Sequence, residues 1–290
     1  MITTKVFFWL FFWLFFWLFF CDPFVSVLQV ANVNVDQSEE EPLQMTHDNS
    51  TAAGEQQSND VSPSSRSCLV PRRRNKIGNN NNKELGQPYL NMGFPKMGST
   101  TLHTFWECGG IHSSHYWCGS APCGHCFEKH AALGKPMLES CVNEKTGGLY
   151  DAYAEMNYVT TSPCLWPQHD RLDEFHREAP NATFVIVFRD IESWIGSVSR
   201  WKEPSGLYLR EALVQTCGVG STDDVTMSDA DLEDFFCDQV NTVRHFVEEH
   251  PSHTLIEVQL EDEDTPSIMA DYFGIRASCW GHENVNSNAK

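Results

Sequence analysis

The stretch YLNMGFPKMGSTTL, residues 89–102, decides the fold. Tyr89, Leu90, Met92 and Phe94 make an apolar run that predicts a buried strand, and Gly93, Pro95 and Gly98 then break it into a turn. From Ser99 the pattern turns helical: Leu102, Phe105 and Trp106 recur on one face, and Gly109-Gly110 predicts the stop. A strand, a glycine turn and a helix N-terminus form a natural anion cradle, because unpaired backbone N–H groups and the helix dipole converge there. Gly93 and Gly98 have the G-x-x-x-x-G spacing of a nucleotide P-loop. The lysine, however, is Lys96 inside the loop, and Ser99 stands where a Walker motif would place it.

A second element lies 93 residues beyond Lys96, in TFVIVFRDIESWIGSVSRW, residues 183–201. Thr183–Phe188 is unbroken and rich in β-branched side chains, as suits a central parallel strand. Arg189 ends it; Trp194, Ile195, Val198 and Trp201 mark one face of the helix that follows, with Ser197 two turns in. A guanidinium fork and a hydroxyl brought together can hold a phosphate through charge-assisted hydrogen bonds.

The pattern P-K-x-G-[ST]-[ST] after a strand resembles the 5′-phosphosulfate loop of sulfotransferases that use 3′-phosphoadenosine 5′-phosphosulfate (PAPS). The R-[DN]-x6-S pattern resembles their 3′-phosphate site. The resemblance implies that Lys96, Gly98, Ser99, Thr100 and Thr101 hold the phosphosulfate, and that Arg189 and Ser197 hold the 3′-phosphate. It covers about Pro88–Asn286 and is close at these two motifs. The CGxC after the first helix and the terminal CWGHENVN are similar to a group of algal and fungal-type sulfotransferases. Cys279–Asn286 reads either as a cover over the nucleotide or as an ordinary structured tail. The later glycine-and-basic loop of cytosolic sulfotransferases has no counterpart here.

Sulfuryl transfer needs positive charge on the bridge oxygen, an acceptor hydroxyl in line with the S–O bond, and a base for its proton. Lys96 and the loop N–H groups suit the first need. In the family the base is a His or a Glu. His169, expected at the end of a short strand in CLWPQH, is one candidate; Asp151 and Glu155, four apart and expected on one helix face, are the alternative.

The remaining chain alternates helix and strand signals. A helix is expected over Asp170–Ala179, another over Leu207–Cys217, and a longer one opened by a Ser228–Asp231 capping box. A strand over Thr254–Leu260 and a last helix from Thr265 to Gly274 follow. The expected architecture is a three-layer α/β P-loop fold, a central parallel sheet flanked by helices, with the ligand at the strands' C-terminal ends.

At the N-terminus, Val6–Phe20 is a fifteen-residue apolar FFWL repeat. As a helix at ~1.5 Å per residue it reaches roughly 22 Å, short of the ~30 Å hydrocarbon core. Residues 1–31 read as a short tail plus signal-anchor, or as a cleaved signal peptide; residues 32–85 as a polar, disordered stem; residues 86–290 as the catalytic domain. That layout resembles single-pass type II Golgi membrane enzymes with a luminal domain, secretion being the alternative.

Over Gly86–Lys290, 13 Lys and Arg stand against 30 Asp and Glu, a net −17. This argues against nucleic acid and favours a neutral or weakly charged hydroxyl acceptor, a glycan first. Of 11 cysteines only Cys21 belongs to the N-terminal segment. Cys118, Cys123 and Cys126, with His112, His115, His125 and His130 nearby, raise the question of zinc. The second half of a four-ligand site is missing and a lumen is oxidising, so disulfides and no metal are expected. Asn49 and Asn181 open glycosylation sequons. Two other classes stay open: a P-loop kinase or NTPase, and a catalytically silent luminal binding protein.

Overall fold

The computed structural model describes residues 67–72, 85–143, 146–159, 164–220 and 225–281, all within a compact unit that runs from Asn59 to Lys290. Val6–Phe20 and the Asn49 sequon lie outside the described residues. Among the described residues no helix is long and apolar enough to cross a membrane.

The chain forms a three-layer α/β fold around a parallel sheet of five strands, β2 (Ser113–Ser114), β5 (Ala152–Tyr153), β1 (Tyr89–Asn91), β6 (Thr183–Phe188) and β7 (Thr254–Gln259), in that spatial order. The β6 run is buried along its whole length. Side chains alternate across the sheet, so Phe184, Ile186 and Phe188 enter one core while Val185 and Val187 enter the other.

The first core is covered by α2 (Cys123–Ala132), α5 (Leu172–Glu178), α6 (Ile191–Arg200) and α8 (Asp229–Glu249), and the shorter α3 (Met137–Ser140) and α7 (Leu209–Gln215) add Met137, Leu138, Leu209 and Leu213. The long α8 begins at the Ser228–Asp231 capping box and packs Leu232, Phe236, Val240 and Val243 inward. The second core is closed by α1 (Ser99–Cys108) and α9 (Thr265–Phe273), which bring Leu102, Phe105, Trp106 and Met269 against the sheet. Gly274 takes a left-handed φ of 66° and ends α9.

Two local expectations are corrected. Asp151 and Glu155 do not share a helix face, because Ala152–Tyr153 is drawn into the sheet as β5, paired with β1 and β2. CLWPQH is not a strand: only Leu165 bridges, to Tyr158, and Pro167 then starts the four-residue helix α4 (Pro167–Asp170), since its fixed φ suits a first helical position.

Five disulfides join ten of the cysteines: Cys68–Cys237, Cys108–Cys279, Cys118–Cys123, Cys126–Cys141 and Cys164–Cys217. Cys126, His130 and Cys141 lie close enough to suggest a metal cluster, but the two sulfurs are bonded to each other and offer no thiolate. Residues 67–72 fall inside the stretch read as stem, yet they are tied to the folded unit. Beyond the Cys68 disulfide, buried Arg244 donates to Ser67 O at 3.0 Å and Val70 O at 2.9 Å while pairing with Glu257 at 2.6 Å.

Candidate active site

Residues 92–98 link β1 to α1 at the C-terminal edge of the sheet. The fold of this loop follows from its neighbours. Gly98 has φ 90°, and a Cβ there would stand 3.0 Å from Leu260 and 3.3 Å from Val187, so glycine fits and a larger residue is strained. Lys96 is itself left-handed, at φ 71°. Two carbonyls of the turn are held from the β6–α6 side: Arg189 Nη1 donates to Lys96 O at 3.1 Å, and Trp194 Nε1 to Pro95 O at 3.1 Å. Gly98 caps α1 with no side-chain acceptor and no acid lies in the first turn, so the helix itself supplies no anion to its N-terminal N–H groups.

The Lys96 ammonium lies 3.7 Å from the centre of the Trp201 ring. Burial pushes its pKa down and Arg189 adds to the effect, with Glu155 and Glu203 opposing. An anion bound beside it would reverse that penalty. Arg189 carries a second sign of the same kind: its Nε is buried without a hydrogen-bond partner among the described residues, with Glu261 Oε1 at 3.6 Å. An oxyanion at this edge would satisfy it.

On the other side of β1 stands Glu155, just past β5. Its carboxylate accepts from Ser99 Oγ at 2.8 Å and lies 3.1 Å from His115 Nε2. Burial acts to raise its pKa, but the bond and charge of His115, the Ser99 bond and Lys96 outweigh this and hold it below the usual range. His115 Nε2 also stands 3.2 Å from Ser99 Oγ and 3.4 Å from Thr100 Oγ1. Glu203 completes the ring of charges. It accepts from Trp201 Nε1 at 2.9 Å, and burial pushes its carboxyl up, with Glu155 adding to the shift. Two carboxyls in one site thus have pKa values driven apart, a common basis for separate acid and base roles.

The structure therefore brings Lys96, Gly98, Ser99, Thr100, Glu155 and Arg189 to one edge. Thr101 is buried within the first turn of α1, and Ser197 is buried on α6 without a hydrogen bond to Arg189 among the described residues. Asp151 is elsewhere, at the N-terminal end of β5, where it accepts from the His112 N–H at 3.1 Å. His169 sits on α4, 43 % exposed, with its Nδ1 2.8 Å from Asp170. That carboxylate is the main cause of its raised pKa, opposed by burial. Trp280 is not over the loop. It packs against Phe105 in the second core, beside the Cys108–Cys279 disulfide at the far end of α1.

Three participants escaped the sequence reading: His115 as a partner of Glu155, Glu203, and Trp201 as the ring beneath Lys96. His115 follows a two-residue strand, too short to show a period, and Glu203 lies in an irregular loop.

Neither a protein-family model nor a curated protein matches the chain.

Proposed function

We propose that this protein is a PAPS-dependent sulfotransferase acting on an acceptor hydroxyl, a carbohydrate in the first instance, in the secretory lumen. One observation carries the reading. A phosphate-type loop with an internal lysine lies between an arginine with an unsatisfied Nε at the end of β6 and a carboxylate at the end of β5. In this reading the cations serve the leaving side and the carboxylate serves the entering side, the division that sulfuryl transfer requires.

The bound donor supplies a sulfuryl group activated by its anhydride bond to phosphate. Glu155 takes the proton of the acceptor hydroxyl as its oxygen bonds to sulfur, and the electrons of the breaking S–O bond pass to the phosphate oxygen. Lys96 and the N–H groups of α1 meet the charge that builds there, and Arg189 anchors the nucleotide. His115 and Ser99 hold the Glu155 carboxylate in place. Five disulfides fit an oxidising lumen. A single-pass Golgi location through Val6–Phe20 is part of the same proposal.

One observation favours a kinase instead: Ser99 Oγ and the Glu155 carboxylate, 2.8 Å apart, are a pair that could hold Mg²⁺. Against it, Lys96 lies within the loop, and His115 already engages that carboxylate. The test is to incubate the full chain with labelled PAPS and a panel of hydroxyl acceptors, with and without Mg²⁺, and to compare affinity for adenosine 3′,5′-bisphosphate and ADP. Metal-independent transfer and preference for the bisphosphate are expected. Preference for ADP with Mg²⁺-dependent phosphoryl transfer would replace the reading.

A further inference from the structure

Among the described residues, two that are not glycine have left-handed backbones, Lys96 and Tyr116. Such a conformation costs about 1–3 kcal/mol and persists where the surroundings demand it. For Lys96 the demand is the phosphate-type loop. Tyr116, at φ 66°, has no part in the chemistry described so far, yet it follows His115 directly and its N–H donates to Glu155 O at 3.2 Å.

The turn at Tyr116 throws the chain outward into a two-stranded hairpin, β3 (Trp117–Cys118) and β4 (Ala121–Pro122). Cys118–Cys123 closes this hairpin, and Cys123 N donates to Tyr116 O at 2.7 Å. Trp117 is held at the base of the hairpin, opposite Pro122, with 54 % of its surface exposed. Tyr116 meets Trp117 edge to face at 5.4 Å and lies 6.4 Å from the ring of Tyr158, three residues beyond Glu155. Tyr158 in turn lies 6.1 Å from His125. A single exposed tryptophan is ordinary. Here it is locked by a disulfide and a strained residue, and that residue is hydrogen-bonded to the main chain of Glu155, the residue assigned as base.

We propose that Tyr116, Trp117 and Tyr158 form the acceptor shelf, and that its ligand is a neutral, pyranose-containing glycan stacked on Trp117 with one hydroxyl presented to Glu155. The use of that hydroxyl rests on the sulfotransferase reading. Aromatic faces carry negative charge density and attract the C–H face of a sugar ring, while phenol and imidazole groups suit its hydroxyl edge. An open shelf fits a ring that keeps one face in water, whereas a sterol needs an enclosed apolar pocket. Glu155, Glu203 and the net charge of −17 over Gly86–Lys290, from 13 Lys and Arg against 30 Asp and Glu, oppose anionic glycans.

Calorimetric titration of the full chain tests this with neutral trisaccharides of glucose, galactose, mannose and N-acetylglucosamine, and with trigalacturonate. At least one neutral sugar should bind, with trigalacturonate at least tenfold weaker. Trp117→Ala should weaken the neutral sugar about tenfold, equivalent to about 1.4 kcal/mol, and Trp117→Phe less. Tyr116→Gly should leave thermal stability unchanged or higher, because glycine accepts the left-handed backbone, while sugar binding falls. Affinity for adenosine 3′,5′-bisphosphate should stay within twofold in each variant. Absence of any neutral-sugar binding, equal binding in Trp117→Ala and Tyr116→Gly, or preference for trigalacturonate would overturn the shelf. Sugar binding that depends on Trp117 in a chain that binds no bisphosphate upholds the shelf and removes the transferase reading.

Discussion

On one side of β1, β6 runs six residues, is buried throughout and pairs with six residues of β7. On the other side, β5 and β2 contribute two residues each, and the chain around them is crossed by Cys118–Cys123, Cys126–Cys141 and Cys164–Cys217. The first flank rests on apolar burial and long strand pairing, with the Arg244–Glu257 ion pair on β7 and the Cys68–Cys237 disulfide on α8 added to them. The second has too little strand to define its own position, and covalent links restrict the alternatives. The proposed chemistry is divided the same way, with Arg189 and the nucleotide on the regular flank and Glu155, His115 and the aromatic shelf on the stapled one. Donor sites need a fixed geometry for a constant ligand. The stapled flank builds its surface from loops, which carry specificity more readily.

The largest expected effect tests whether the stapled flank supplies the base. Glu155→Gln should lower turnover roughly 10²–10⁴-fold, with adenosine 3′,5′-bisphosphate affinity nearly unchanged. His169→Ala should leave turnover within a few-fold, since that ring pairs with Asp170. The reverse ranking would move the base to α4. Next comes the regular flank: Arg189→Ala should weaken the bisphosphate by about 2–5 kcal/mol, the usual result of losing one partner of a charged pair. Equal losses for adenosine 5′-monophosphate would show that Arg189 does not read the 3′-phosphate.

A chain beginning at Gly86 loses the Cys68 disulfide and the two carbonyls that Arg244 engages, and should lose about 2–5 kcal/mol in denaturant melts. Unchanged stability would return residues 67–72 to the stem. On the stapled flank, Cys118→Ser with Cys123→Ser should cost about 2 kcal/mol for so short a loop, and should raise acceptor KM more than nucleotide affinity falls. Equal losses in both would mean that the two flanks are one unit.

The smallest effect concerns Glu203. Its folded pKa is raised by burial, so ionisation disfavours the folded state once pH exceeds the unfolded value. Glu203→Gln keeps an acceptor for Trp201 and should raise the melting temperature by a small amount at pH 7. The gain should vanish as pH falls below the ordinary carboxyl range. Glu155 has the opposite sign: its lowered pKa stabilises the fold above the unfolded value, and that contribution is lost as pH falls through the folded one. A gain from Glu203→Gln that persists at low pH would point to packing instead.

The amino-acid sequence by itself determined the regular flank. Thr183–Phe188 matches β6 residue for residue, Ser99 begins α1, and Ser228 begins α8, because each depends on local patterning or capping readable within one segment. Three-layer order followed from strands alternating with helices. The positions of Lys96 and Arg189 just past strand ends were also legible, because β1 and β6 were. Only the tertiary structure decided the rest. Asp151 and Glu155 are four apart in sequence, a spacing equally compatible with a helix; pairing to β1 and β2 made it a strand and sent the two carboxylates to opposite ends. The partners of Glu155 come from residues 99 and 115, and those of Lys96 from residues 201 and 203. Such contacts are set by how strands and loops pack across the sheet edge, and no periodicity along one segment encodes them.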